Sequence, residues 1–106
     1  MIDLTKDNFD EEVLNADCKV FVDFYGDGCV PCEALAPFVH SLADKYDGKL
    51  KFTKLNTTKA RRLAISQKVL GLPVMAVYHK GEKIEELIKD DATEANIEAM
   101  VLRHIV

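Results

Sequence analysis

Cysteines stand at positions 29 and 32, separated by a valine and a proline in the run Cys29-Val30-Pro31-Cys32. On the first turn of a helix that spacing puts both sulfurs on one side, close enough to bridge. Pro31 suits a first turn, where its missing donor is not needed. The run follows residues 19–25, whose β-branched and aromatic side chains predict a strand. The pair therefore opens a helix, where free backbone N–H groups and a partial positive charge favour an anion. A thiolate at Cys29 gains most, which brings its expected pKa below the free value of about 8.5. Cys32, one turn further in and more shielded, is the less acidic partner. An exposed nucleophile beside a resolving thiol makes a dithiol–disulfide exchanger. Cys29 attacks a substrate disulfide, and Cys32 then breaks the mixed disulfide.

The elements that must hold this pair alternate between the strand and helix periods. Ile2-Asp3-Leu4 predicts a short strand, and Phe9, Val13 and Leu14 mark a first helix. Residues 19–25 are apolar without alternation apart from Asp23, as in a central strand covered on both faces. Gly26-Asp27-Gly28 ends that strand. Leu35, Phe38, Val39, Leu42 and Tyr46 then recur at spacings of three and four, which predicts a helix over 31–46. Pro37 lies inside it and predicts a kink. Residues 50–57 predict a strand, 59–68 a short helix, and 74–79 and 83–88 two strands joined by a tight turn at Lys80-Gly81. Thr93 is a fitting N-cap for a last helix that buries Ile97, Met100, Val101 and Ile105. The order β-α-β-α-β-α-β-β-α predicts an α/β fold with a mixed five-stranded sheet, a four-stranded core plus the N-terminal strand, flanked by four helices. Residues 1–106 are expected to form one domain.

Composition removes several function classes. With 48% apolar and 30% charged residues over 106 positions, the chain reads as an ordinary globular domain. Fourteen basic against eighteen acidic side chains give a net charge of −4, with no basic block to meet nucleic acid or anionic lipid. The start Met1-Ile2-Asp3-Leu4 lacks a basic or apolar leader, and no apolar run approaches a membrane span. Three cysteines are too few and odd in number for a disulfide framework, so a reduced, cytoplasmic setting is expected. Cys18 reads as a small buried hydrophobe, with a regulatory or dimer-forming thiol as the alternative. Cys18, His40, His79 and His104 form no second paired motif, so no metal is expected.

The ordered set of motifs resembles the thioredoxin family over essentially the whole chain. Val22-Asp23-Phe24-Tyr25 is similar to that family's strand leading to the redox pair, and Ala36-Pro37 to its helix with an internal proline. Lys54-Leu55-Asn56 resembles the next strand, Gly71-Leu72-Pro73 the loop with a cis-proline, and Lys80-Gly81-Glu82 the hairpin. The resemblance implies a disulfide reductase with no bound cofactor, working through a redox-active Cys29–Cys32 disulfide. It implies that Asp23, raised in pKa by burial, exchanges a proton with Cys32, and that Lys54 approaches this aspartate and moderates its charge. A solvent-facing aspartate and a solvated strand lysine are the alternatives. Pro73 is implied to face the cysteines, with Leu72 offering backbone to an extended substrate. Gly28, Val30, Pro31 and Lys89 are implied to line the same substrate groove. Implied partners are disulfide-containing proteins and a thioredoxin reductase, a flavoprotein linked to NADPH or ferredoxin; a monomer is expected.

Several positions depart from that family's usual pattern. Gly28 stands where a tryptophan is usual, Val30 where a glycine is, and Glu33 where a cation is. Val74 follows the proline where threonine is commoner, and Lys89 stands where a glycine usually lines the groove. Glu33 and Asp27 oppose the Cys29 thiolate. These changes surround the cysteines, which predicts a restricted set of partners. The Gly28-Cys29-Val30-Pro31-Cys32 run resembles that of thioredoxins from amino-acid-fermenting anaerobes, which implies a glycine-reductase-type selenoenzyme among those partners. Two other readings remain: a glutathione-coupled glutaredoxin-like protein, and a thioredoxin-fold binding subunit whose dithiol is incidental.

Overall fold

The apolar run after Lys19 becomes the middle of a five-stranded sheet. The structure is a computed structural model and describes residues 1–105. Its strands are β1 (Ile2–Leu4), β2 (Val20–Tyr25), β3 (Lys51–Asn56), β4 (Val74–His79) and β5 (Glu82–Ile88), in the spatial order β1-β3-β2-β4-β5. β1 and β2 both run parallel to β3, while β4 runs antiparallel to β2 and β5. The sheet is mixed for the expected reason: helical crossovers join the parallel strands, and a tight turn joins β4 to β5.

Alternation along the strands divides the interior into two cores. Val20, Val22 and Phe24 of β2 pack with Val74, Ala76 and Tyr78 of β4 on one face, under Phe9, Val13 and Ala64. Phe21, Phe52, Met75 and Val77 pack on the other, under Val39, Leu42, Ile97 and Met100. The first face is covered by residues 9–14 and by α2 (Arg61–Ser66); the second lies under α1 (Val30–Lys45) and α3 (Glu94–His104). Phe21 and Phe24 are completely buried, one on each face, and each such side chain is worth about 2–3 kcal/mol. Asp23 has the parity of Phe21, so the strand aims its carboxyl at the α1 face.

Differences from the sequence reading fall at element ends. Residues 10–14 form one wide turn, in which the Asn15 N–H reaches the Asp10 carbonyl at 2.8 Å, rather than an α-helix. A single turn has no second turn to hold its pitch, and Phe9 and Val13 still reach the core. The helix expected over 59–68 is split: a tight turn at Thr57–Lys59 precedes α2, because Ala60, buried between them, leaves the helical region at φ −147° and ψ 51°. Thr93 caps α3 as expected, its Oγ1 accepting from the Asn96 N–H at 3.1 Å. Cys18 does not behave as a buried hydrophobe; it is a free, exposed thiol, because it lies outside β2 where no layer covers it. His104 is half-buried, held by Glu85 Oε1 at 2.7 Å from its Nε2.

Candidate active site

β2 ends at Tyr25, and four residues later the chain enters α1. The connection is fastened from β3: Asn56 donates through Nδ2 to Asp27 Oδ1 at 3.0 Å, and the Asp27 N–H donates to Thr58 Oγ1 at 2.9 Å. The Thr57 hydroxyl donates to the Tyr25 carbonyl at 2.8 Å. Gly28 then turns with φ +71°, a left-handed conformation that disfavours the side chain usual at this place. Sequence reading missed Asn56, Thr57 and Thr58 as supports; the signal was a run of short hydrogen-bonding side chains right after a strand.

Cys29 is the N-cap of α1, and its sulfur accepts from the Cys32 N–H at 3.3 Å. The two cysteines form a disulfide, with Cα atoms 5.2 Å apart. Cys29 is half-buried, whereas Cys32 is buried at 5% exposure. Val30 and Pro31 project between them, and Val30 is 72% exposed. This asymmetry has a simple origin: the N-cap lies outside the helix, while the next turn faces the sheet.

Behind Cys32 lies a cavity of about 160 Å³, also lined by Asp23, Lys54, Glu33 and His40. Asp23 is 6% exposed and its Oδ1 has no hydrogen-bond partner among the described residues. Burial pushes its pKa from 3.8 to about 7, against the pull of the Lys54 ammonium. Lys54 is the β3 neighbour of both Asp23 and Asp3, and its Nζ lies 3.5 Å from Asp3 Oδ1. It therefore shares the cavity with Asp23 while pairing with Asp3. His40 is exposed, yet it also lines this cavity. Its helical spacing was the available signal, since positions 32, 36 and 40 fall on one face of α1.

Pro73 and Leu72 approach from the other side. The Leu72–Pro73 peptide is cis. A Cβ on Gly26 would stand 2.9 Å from Leu72 Cδ1, so this loop packs directly on the segment leading to Cys29. Lys89 follows β5, and its N–H donates to the Pro73 carbonyl at 2.8 Å. The structure thus gathers Asp23, Cys32 and Lys54 around one cavity. Gly28, Val30 and Pro31 are exposed around the half-buried Cys29, while Leu72 packs on Gly26 and the buried Pro73 is tied to Lys89. Among the described residues no cluster of three or more His, Cys, Asp and Glu side chains suits a metal ion, and no helix is long and apolar enough to cross a membrane.

Comparison with known proteins gives this geometry a context. The family model for thioredoxin matches residues 1–103. The chain is 55% identical over 105 residues to a thioredoxin of Peptoclostridium acidaminophilum, covering 99% of this chain and 96% of that protein. A thioredoxin of Acetoanaerobium sticklandii is 54% identical over 105 residues, which cover 99% of this chain and 100% of that one. Thioredoxin 1 of a Nostoc species is 33% identical over 85 residues, 80% of this chain and 79% of that protein. Together with the Cys29–Cys32 disulfide, these relationships make the chain a dithiol–disulfide oxidoreductase that reduces protein disulfides, with its own disulfide as the redox group. The chain belongs to the thioredoxin family.

Proposed function

We propose that Cys29 is the nucleophile, Cys32 the resolving thiol and Asp23 the proton acceptor of this reductase. The observation that carries the reading is the sharing of one cavity by buried Cys32 and the unpartnered carboxyl of Asp23. In the reduced protein the Cys29 thiolate attacks one sulfur of a substrate disulfide. A protein–substrate disulfide forms, and the first substrate thiolate leaves and takes a proton. Asp23 then accepts the Cys32 proton, and the Cys32 sulfur attacks Cys29 Sγ. The Cys29–Cys32 bond closes, the protein–substrate bond breaks and the second substrate thiol departs. Two electrons pass to the substrate; the first thiolate takes its proton from water, Asp23 gives the Cys32 proton to the second, and the protein is left with its disulfide closed. Lys54 holds positive charge beside the cavity and limits the rise in the Asp23 pKa. Gly28, Val30, Pro31, Leu72, Pro73 and Lys89 form the surface that receives the substrate.

Electrons return to the disulfide from a thioredoxin reductase, a flavoprotein supplied by NADPH or ferredoxin. The protein works as a cytoplasmic monomer, one domain carrying the whole reaction. Gly28, Val30 and Glu33 alter the rim of the disulfide, which supports a restricted set of partners such as a glycine-reductase-type selenoenzyme system. Equilibration of Cys29–Cys32 with dithiothreitol redox buffers, read by alkylation and mass, tests the reductant role. A potential near or below about −250 mV supports it, and one above about −200 mV overturns it. Turnover of insulin disulfides tests the restriction: a low rate supports it, and an undiminished one removes it.

A further inference from the structure

Lys89 combines four features that an ordinary surface lysine does not share. Its backbone has φ +52°, a left-handed conformation that costs a residue with a Cβ on the order of 1 kcal/mol. Its N–H is tied to the Pro73 carbonyl, which fixes where the side chain starts. The stem then crosses Gly71: a Cβ on that glycine would overlap Lys89 Cε and stand 3.1 Å from Nζ. Finally, the ammonium has no carboxylate within 4.0 Å among the described residues, although Asp90 and Asp91 follow it in sequence. An unpaired cation is thus held against the loop that packs on the disulfide segment.

The surroundings give that cation a purpose. A groove of about 520 Å³ runs past Gly71 and Leu72, and the charged side chains on its wall, Asp27 and Arg61, are opposite in sign. The wall is close to neutral, and Lys89 stands outside it, its stem across Gly71, where it adds positive charge at the groove's edge. Asp27 lines that groove two residues before Cys29, and Glu33 stands in the first turn of α1. Gly71 and Leu72 make no backbone hydrogen bond with the described residues, which leaves their N–H and carbonyl groups free for an extended segment.

We propose that Lys89 selects disulfide substrates whose reacting cysteine is flanked by an aspartate or glutamate, by pairing its ammonium with that side chain over Gly71. The proposal rests on the reductase reading above. A cation at the rim acts mainly on association and on the choice between partners, and its effect falls as salt shortens the screening length. A basic flanking residue meets repulsion instead.

The test uses three disulfide-bonded peptides that differ only in the residue beside the reacting cysteine: glutamate, alanine or lysine. Reduced protein is mixed with each peptide, and second-order rates are read by acid quench and alkylation. The expected ratio of glutamate to lysine peptide is about threefold to tenfold at 50 mM salt and smaller at 500 mM. Lys89→Glu inverts the ratio, while Lys80→Ala retains it. Lys80 also has positive φ, at 54°, but sits at the far end of β4. Lys89→Gly relieves the backbone and serves as the second variant, with a ratio near one. A ratio near one in the parent, or one that Lys89→Glu leaves in place, overturns the selection while the alanine peptide still reports reduction. If the parent reduces none of the three, the reductase reading itself falls.

Discussion

β2 has a cysteine beyond each of its ends, and the two differ in almost everything except residue type. Cys18 lies before the strand, free and exposed. Charges near it pair off: Lys19 Nζ reaches His104 Nδ1 at 3.2 Å, and Glu85 takes both His104 and Arg103. Cys29 lies past the other end, caps α1 and bonds to Cys32. Near that end, among the described residues, Asp23 Oδ1 is unpartnered and Lys89 unpaired. The paired pole ties α3 to β5 and is a structural fastening. The unpaired pole keeps polarity available for a visitor. On the proposed reading, exposure alone does not make a thiol reactive; a helix start, a second sulfur and an acceptor within reach do.

Serine substitution breaks this comparison most directly. Cys29→Ser and Cys32→Ser should each lower turnover of a protein disulfide by on the order of a thousandfold or more, and Cys32→Ser should accumulate a substrate-linked adduct visible by mass. Cys18→Ser should stay within about twofold of the parent. Equal damage at Cys18 would erase the distinction between the two ends of β2.

Asp23→Asn gives the next largest effect, this time on stability. The carboxyl has a pKa of about 7 in the fold against 3.8 as a free group, so the folded state holds its proton longer. Stability from this group is present at low pH and falls as pH rises from about 4 to 7, after which it is level. A shift of about three units corresponds to up to about 4 kcal/mol. The asparagine variant should thus be more stable than the parent by up to about 4 kcal/mol at pH 8, with little gain near pH 4. Urea midpoints with matching slopes measure this. Above pH 7 the same variant should resolve its mixed disulfide more slowly. A stability gain that ignores pH would mean that Asp23 is not the buried titrating group.

These groups were not equally legible in the sequence. Cys29 and Cys32 announced themselves, because their spacing and Pro31 together specify a helix start. The strands were legible too, since β2 and β4 are buried on both faces and are apolar almost throughout. Asp23 stood out as a charge inside such a run. Lys54 was legible as a neighbour, but its pairing with Asp3 was not, because that depends on β1 lying beside β3 in register. Cys18 was misread because burial follows from which residues a layer covers, and position 18 falls just outside the strand. Lys89 over Gly71 is a contact between segments that the sequence alone does not bring together.

Glu33→Lys is the smallest change and sharpens the comparison most finely. An acidic residue in a first helical turn normally stabilises the helix by meeting its positive end. Glu33 occupies that turn, and the same turn must also receive the Cys29 thiolate. Two anions then compete for one set of N–H donors, so reversing the charge at position 33 should favour the thiolate. At exposed sites such an effect is a few tenths of a kcal/mol per charge, which gives about a two- to fivefold faster alkylation of Cys29 at pH 6. The gain should shrink in high salt, where surface charges are screened. In the reduced Cys32→Ser background, Cys18 serves as the reference thiol in the same tube, and its rate should not change. Parallel acceleration of both thiols would trace the effect to net charge, and the helix start would lose its special claim on Cys29.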